Sequence, residues 1–167
     1  QVVPGPDETV AHVVAGEPEA VRRRSEELYQ REWSRHSPRQ VNLVIANISG
    51  GAEAQNWQNV GRALASAELL LDDGGAVVIC SNLEQPPGHS LGRLIGSADL
   101  EKAARKIFHD HGADSVTAWL VARALQRGPV YFLSRLDSET VEDLGFAPVD
   151  SVGDLARLAG RHESCVV

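Results

Sequence analysis

The sequence predicts an α/β fold with three layers, in which a mainly parallel sheet of about four strands has helices on both faces. Apolar runs alternate with helical segments along the 167 residues, and the connections between those runs are too long for hairpins. The runs at 41–48 and 76–83 are almost wholly apolar, which is typical of strands covered on both faces. With 43% apolar residues the chain can bury one core, so we expect a single domain over 1–167.

The N-terminal part predicts a strand, a helix and a second strand. Residues 8–16 form a β-branched run closed by a glycine. The segment 17–33 has acidic residues and a proline in its first turn, which are signals for the start of a helix. The turn-rich linker 34–40 then leads to the strand at 41–48.

The next helix is expected from about Asn56 to Leu71, because apolar residues recur there at steps of three and four. Residues 72–75, with two glycines, are expected to end it. The apolar positions that define this stripe are Trp57, Val60, Leu64, Ala67 and Leu71.

A buried strand at 76–83 is followed by the segment 84–96. Its two prolines and three glycines predict an irregular loop. Loops of this length within a compact domain are commonly functional. We therefore expect this loop to contribute to a site.

Two helices and several shorter elements complete the chain. Ser97 is expected to cap a helix over 98–112, and Asp114 or Ser115 to cap a helix over 116–128. The rest of the sequence predicts a strand at 129–136, a short helix at 138–145, a connector at 146–150, a helix at 151–160 and a strand-like run at 164–167.

Charge and composition argue against several functions. A net charge of -7 and a pI near 5.3 argue against binding to nucleic acid or to an anionic membrane. No apolar run approaches the roughly 20 residues of a membrane span, and no signal pattern opens the chain. Cys80 and Cys165 lie far apart and the histidines are scattered, so we predict neither a disulfide nor a metal site. A cytoplasmic protein fits these features.

The two ends suggest a piece of a longer protein. The sequence contains no methionine and begins with Gln1, and it ends on the apolar run 164–167 without a polar tail. We expect a domain taken from a larger, two-domain chain.

The strongest candidate site is the loop after the strand at 41–48. Gly50 and Gly51 permit a tight turn and close approach of a ligand to the backbone. Asn56 is a suitable cap for the helix that follows. Because a helix start offers free N–H groups and a positive dipole end, we expect these three residues to bind an anion.

One face of the following helix is polar. Gln58, Asn59 and Arg62 are related by steps of three and four, so they lie together, opposite the apolar stripe. Arg62 can hold a carboxylate or a phosphate through forked hydrogen bonds. Solvation alone also explains a polar helix face, and the spacing by itself favours that explanation; the preceding glycine pair narrows the difference.

Five segments in order give the sequence a resemblance to the C-terminal domain of the lactate racemase family, the nickel-pincer nucleotide enzymes. They are "VVAGEPEA", "NLVIANISGG", "RALASAELLLDDGGAVVI", "VARALQRGPVYFLSRL" and "VEDLGFAP". In that family a larger N-terminal domain carries a pair of acid/base histidines, the lysine that bears the cofactor and a nickel-binding histidine. The active site lies between the two domains.

The resemblance implies that this chain supplies part of the substrate side of a 2-hydroxy-acid racemase or epimerase. Gln58, Asn59 and Arg62 match the family's Tyr-Gln-x-x-Lys pattern and would be its catalytic residues. The implied partners are the N-terminal domain of the same chain, which would bind the nickel-pincer nucleotide, and a small 2-hydroxy acid. A tryptophan that family members place in the cleft aligns with Val116, and Trp119, one turn on, is better explained by core packing.

Two other functions remain open. The segments 42–48 and 70–83 also look like the second half of a Rossmann-type S-adenosylmethionine-dependent methyltransferase, with Asn47 at the substrate pocket. The upstream sequence, however, lacks G-x-G spacing. The third reading is an accessory domain that binds a small anion without chemistry, because no Ser-His-Asp or Cys-His set is evident.

Overall fold

The computed structural model describes residues 1–5, 9–34, 39–97, 99–109 and 111–167. Several residues of predicted elements lie outside this description. They are Glu8 of the first predicted strand, residues 35–38 of the linker, and Ala98 and Asp110 of the helix predicted over 98–112. The chain divides into two compact units, residues 1–38 and 39–167.

The first unit contains a two-stranded antiparallel sheet and a helix. The strands are β1 (Val2–Pro4) and β2 (Val10–Val13), of which only β2 is predicted from the sequence. The helix α1 (Pro18–Trp33) begins where its signals place it, because the Glu17 carboxylate accepts a hydrogen bond from the Ala20 N–H at 3.1 Å. At its far end the indole of Trp33 donates to the carbonyl of Pro4 at 2.8 Å.

The second unit is built on a five-stranded parallel sheet. Its order is β6-β5-β4-β3-β7, and every neighbouring pair is parallel. The strands are β3 (Val41–Asn47), β4 (Leu71–Cys80), β5 (Val130–Leu133), β6 (Ala147–Pro148) and β7 (Cys165–Val166). The short β6 lies within the segment that the sequence predicts as a plain connector.

Six helices and one short 3₁₀ turn join these strands in the described residues. The turn is formed by Ala52–Ala54. The helices are α2 (Trp57–Ala67), α3 (His89–Gly92), α4 (Leu100–His109), α5 (Ser115–Arg127), α6 (Ser138–Asp143) and α7 (Val152–Ala159).

Both faces of the sheet are covered by helices, which confirms the predicted fold class. Alternate residues of β3 and β4 point to opposite faces. One face packs against α2, α4 and α5 around an aromatic cluster in which Trp57 and Phe146 have ring centroids 5.9 and 5.6 Å from Phe132. The other face, with Leu43 and Val78, packs against α7.

The predicted boundary between α2 and β4 is wrong. The helix ends at Ala67, and residues 72–75 belong to the strand instead of stopping the helix. Leu71 is buried because it pairs with Val41 in the sheet, so its place in the helical stripe is coincidental. The pairing register shifts between Val41 and Leu43, because β4 has more residues than β3 in this stretch.

Two predictions about the segment after β4 also need correction. The segment 84–96 is not wholly irregular, because it contains α3, and Leu91 and Leu94 within it are buried. The α4 helix is capped by Asp99 and not by Ser97: the Asp99 carboxylate accepts from the Lys102 N–H at 2.9 Å. The Ser97 hydroxyl donates to the Asp99 carbonyl instead.

Gly128 marks a close approach between the end of α5 and the irregular part of β4. A Cβ at this position would collide with the carbonyl oxygen of Gly75, a backbone atom that cannot rotate away. Gly128→Ala is therefore expected to lower the free energy of unfolding by about 1–3 kcal/mol, measured by urea denaturation.

Gly92→Ala is the matched control, because a Cβ there meets nothing within 4 Å and the residue lies in α3. Alanine in a helix should be neutral or stabilising by about 0.5–1 kcal/mol. Equal stability of the two variants would show that the close contact between Gly128 and the Gly75 carbonyl does not constrain the fold.

Candidate functional site

The carboxyl ends of β3, β4 and β5 meet at one edge of the sheet, because these neighbouring strands are parallel. Ligands of open parallel sheets bind outside this edge. The loop with Gly50 and Gly51 leaves β3 here. Gly50 has a φ of 109°, a left-handed conformation that favours glycine, whereas Gly51 has an ordinary φ of -70°.

The side-chain amide of Gln55 joins the loop after β3 to the loop after β4. Its nitrogen donates to the carbonyls of Ile48 at 3.0 Å and Gly50 at 3.4 Å. Its oxygen accepts from the Ser81 hydroxyl and from the Asn82 N–H, both at 2.8 Å. One amide group therefore fixes the backbone of both loops at the sheet edge.

The segment that follows β4 is anchored at two points farther along. The indole N–H of Trp57 donates to the carbonyl of Gln85 at 2.9 Å, while the Trp57 ring packs in the core. The Asp114 carboxylate accepts from the N–H groups of Ser90 at 3.0 Å and Leu91 at 3.2 Å. These bonds order both the start of the segment and α3.

Asp114 stands at the N-cap position of α5, as predicted, but its side chain makes no capping bond to that helix. It caps α3 from outside that helix. Burial raises the pKa of the Asp114 carboxyl, but hydrogen bonds from the Ser90 hydroxyl and from the Ser90 and Leu91 N–H groups outweigh burial and hold this pKa below its usual value.

A cavity of about 380 Å³ lies beside the glycine loop. Arg135, which follows β5, is the cation in its described lining, and the Glu84 carboxylate lies 4.0 Å from the Arg135 guanidinium. The lining residues are Gly50, Gly51, Ala52, Gln55, Asn82, Glu84, Gln85 and Arg135.

A second cavity, of about 480 Å³, adjoins the first and shares Asn82 and Arg135 with it. Its wall includes the apolar side chains of Ile48 and Leu133, and Asn47 lies among its polar groups. The Cys80 thiol also lines it, and burial raises the pKa of this thiol, so it is protonated at neutral pH. An apolar wall with a few polar groups is typical of small-molecule pockets.

The six residues predicted as site residues fall into three groups. Gly50 and Gly51 line the first cavity, while Gln58, Asn59 and Arg62 lie outside both cavities on the next helix. Asn56 caps α2 as predicted, because its side chain accepts from the Asn59 N–H at 2.9 Å and donates to the Glu53 carbonyl. The anion-binding and catalytic roles of these six residues stay predictions.

The polar face of α2 is ordered by a short chain of hydrogen bonds. The Asn59 amide nitrogen donates to the Ala54 carbonyl at 2.9 Å, which directs the amide oxygen outward. That oxygen accepts from the Arg62 guanidinium at 3.1 Å. Gln58 and Arg62 are exposed on this face.

Trp119 behaves as a packing residue, in agreement with the sequence interpretation. It is partly buried against the core, 6.1 Å from the Phe108 ring, and the Arg123 guanidinium lies over it at 5.4 Å. Val116 on the same helix is 58% exposed.

Sequence reasoning missed Gln55, Asn82 and Arg135. All three lie just outside regular elements, where no periodicity points to them. The signal that finds them is topological, because each follows or adjoins the carboxyl end of a parallel strand. Arg135 is 88 residues from Asn47 in sequence, and only strand pairing brings their strands together.

Comparison with solved structures identifies the fold. The chain aligns with the lactate racemase apoprotein from Thermoanaerobacterium thermosaccharolyticum at a TM-score of 0.77 and 22% identity, over 96% of this chain and 40% of that one. A protein from Thermotoga maritima aligns at a TM-score of 0.55 and 12% identity, over 79% and 36% of the two chains. No family model and no curated protein sequence matches.

These likenesses establish a lactate-racemase-like α/β fold and leave the activity open, because the identities are low. The chain spans less than half the length of either protein. In the part of the chain that the structure describes, no group of three histidine, cysteine or acidic side chains could hold a metal ion. No helix among the described residues has the length and apolar character to cross a membrane.

The substitution Gln55→Glu tests whether the side-chain amide of Gln55 holds the two loops together. The carboxylate keeps the two acceptor contacts but cannot donate to the Ile48 and Gly50 carbonyls, and it places negative charge against them. We expect a loss of about 1–3 kcal/mol in the free energy of unfolding, measured by chemical denaturation. Gln58→Glu makes the same change on the exposed face of α2 and should cost less than about 0.5 kcal/mol. A similar decrease in the free energy of unfolding in both variants would contradict this role of Gln55.

The role of Asp114 predicts a pH-dependent stability. Because its pKa is lowered in the folded state, its contribution is present above the unfolded pKa of about 3.9 and is lost as the pH falls through the folded pKa. Asp114→Asn should cost about 1 kcal/mol at pH 7, and the difference from wild type should shrink in acid.

Thermal melts of wild type and Asp114→Asn across this pH range measure the effect. Asp143→Asn, which changes an exposed carboxylate at the end of α6, is the control. A pH-independent difference for Asp114→Asn would argue that the charge of Asp114 is not what caps α3.

Proposed function

We propose that this chain is the C-terminal, substrate-side domain of a lactate-racemase-like 2-hydroxy-acid racemase or epimerase. The observation that supports this proposal is the alignment of 96% of the chain with 40% of the lactate racemase apoprotein at a TM-score of 0.77. In the proposed enzyme the remaining part is an N-terminal domain, and the active site lies between the two. The chain alone is then inactive.

The arrangement on α2 supports a role in holding the substrate. Inversion of a 2-hydroxy acid changes the α-carbon, so the groups that do not react must anchor the molecule while hydrogen leaves and returns. The carboxylate is the natural anchor, because it is charged and takes forked hydrogen bonds. Arg62 is exposed, and its guanidinium is oriented by Asn59 at 3.1 Å.

Each polar residue of α2 then has its own role. Arg62 binds the substrate carboxylate, and Gln58, one turn earlier on the same face, offers an amide to the substrate's hydroxyl or side group. Asn59 is a positioning residue, since its own amide is held by Ala54 and its oxygen orients Arg62. Gly50, Gly51 and the start of α2 at Asn56 favour negative charge nearby.

In the lactate racemase family, the lysine that bears the nickel-pincer nucleotide and the histidine that binds its nickel belong to the N-terminal domain. The proposal places that cofactor on the N-terminal domain. The role of this chain is limited to binding, orienting and shielding the substrate.

The test uses the full-length protein that contains this sequence. Arg62→Ala is expected to reduce kcat/KM for interconversion of the two enantiomers of its 2-hydroxy acid by about a hundredfold, equivalent to about 3 kcal/mol. Chiral chromatography of the reaction mixture measures it. Arg62→Lys, which keeps the charge without the fork, should lose less.

Arg127→Ala is the matched control, because Arg127 lies at the exposed end of α5 and should leave turnover unchanged. An unchanged kcat/KM in Arg62→Ala would contradict the proposal that Arg62 binds the substrate carboxylate. A full-length protein that interconverts no 2-hydroxy acid, but binds S-adenosylmethionine at micromolar concentration in calorimetry, would replace the racemase proposal with the methyltransferase reading.

A further inference from the structure

The face of the sheet that packs against α7 is open at the carboxyl ends of its strands. The chains that leave β3, β4 and β5 all run to helices of the other face, because Trp57 of α2, Leu91 of α3 and Val141 of α6 belong to the core on that side. The α7 helix packs on its own face through Leu155 and Leu158, and neither of them is fully buried. A space is left beside α7, and the larger of the two adjoining cavities, of about 480 Å³, occupies it.

Strand register determines which side chains line this cavity, which we call the α7 cavity. Asn47 of β3 pairs with Cys80 of β4, and Cys80 pairs with Leu133 of β5. Paired residues of parallel strands point to the same face, and Asn47 lies two residues after Ile45, which packs on the α7 side. The three side chains therefore line the cavity as one row across the sheet.

One part of the lining is apolar. Ile48 and Leu133 contribute apolar side chains from the strand ends, and Val152 and Leu155 contribute them from α7. An apolar group that enters this part leaves water on both its strand side and its helix side, which favours binding.

The other part of the lining is rich in hydrogen-bond donors. Asn82 and Arg135 line both this cavity and the one beside the glycine loop, so they lie where the two cavities adjoin. Within the described part of the chain, the side-chain amides of Asn47 and Asn82 have no hydrogen-bond partner. These amides can therefore donate to a ligand without breaking a bond within the protein.

The Arg135 guanidinium is also accessible to a ligand. Its partner Glu84 lies 4.0 Å away, and the two side chains are 64% and 77% exposed, so the pair is weak and another anion can replace Glu84. The described lining of the α7 cavity includes no carboxylate side chain, and every residue adjacent to that lining in sequence is described.

We propose that the α7 cavity binds a small carboxylic acid with an apolar tail. The carboxylate accepts from the Arg135 guanidinium and the Asn82 amide, because a charged acceptor forms the stronger hydrogen bonds. The tail lies between Leu133 and Leu155. The volume is within the range of small-molecule sites. This site is independent of the proposed function, because Arg62 does not line it.

The experiment titrates the full-length protein that contains this sequence with hexanoate and follows the methyl resonances by NMR. Saturable shifts centred on Ile48, Leu133 and Leu155 are expected. Butyrate, which has two fewer methylenes, should bind about tenfold more weakly, and 1-hexanol, which lacks the carboxylate, should also lose about tenfold. Absence of saturable shifts, shifts centred elsewhere, or equal affinity for hexanoate and 1-hexanol would overturn the proposal.

Variants test the polar end of the site. Arg135→Gln should weaken hexanoate at least about tenfold and change 1-hexanol by less than about twofold. Arg127→Gln removes the same charge at an exposed position outside the cavity and should stay within about twofold of wild type for hexanoate. Equal weakening in these two variants, or unchanged hexanoate affinity in Arg135→Gln, would overturn the proposal.

Arg62→Gln separates this site from the one proposed on α2. Its affinity for hexanoate should stay within about twofold of wild type, whatever its effect on turnover of a 2-hydroxy acid. Loss of hexanoate binding in Arg62→Gln would place the ligand at α2 and overturn the α7 cavity as its site.

Discussion

The four hydrogen bonds of the Gln55 amide are the interaction on which the sheet edge depends. They join the chain leaving β3 to the chain leaving β4 and add to the backbone hydrogen bond that the Ile48 N–H donates to the Cys80 carbonyl at 2.8 Å. An amide is suited to this position because it donates on one side and accepts on the other. The glycine loop, the start of α2 and both cavities take their positions from this link.

A second consequence concerns α2. Since Gln55 fixes the loop and Asn56 caps the helix immediately after it, the first turn of α2 has a defined direction relative to the sheet edge. The apolar side of the helix is held by the aromatic cluster, with Trp57 against Phe132. The opposite side is left to Gln58 and Arg62, which makes this face available to a ligand or to another domain.

Much of the fold could be predicted from the sequence, because α1, α5, α7 and β3 have clear start signals, stripes or apolar runs. The failures have physical causes. Leu71 extends the helical stripe by chance while serving the sheet, and α3 forms in a glycine-rich segment because Asp114, 23 residues after Leu91, supplies its cap. Asn59 and Arg62 could be placed on one face from spacing alone. Arg135 could not be found, since strand pairing brings it to the site.

The central claim is that Arg62, rather than Arg135, holds the carboxylate of a 2-hydroxy acid. The most direct measurement is a crystal structure of the full-length protein with its 2-hydroxy acid bound. The claim predicts carboxylate oxygens about 2.8 Å from the Arg62 guanidinium nitrogens in a forked pair. A carboxylate bound to Arg135 in the cavity beside Gly50 and Gly51, with Arg62 in solvent, would contradict it.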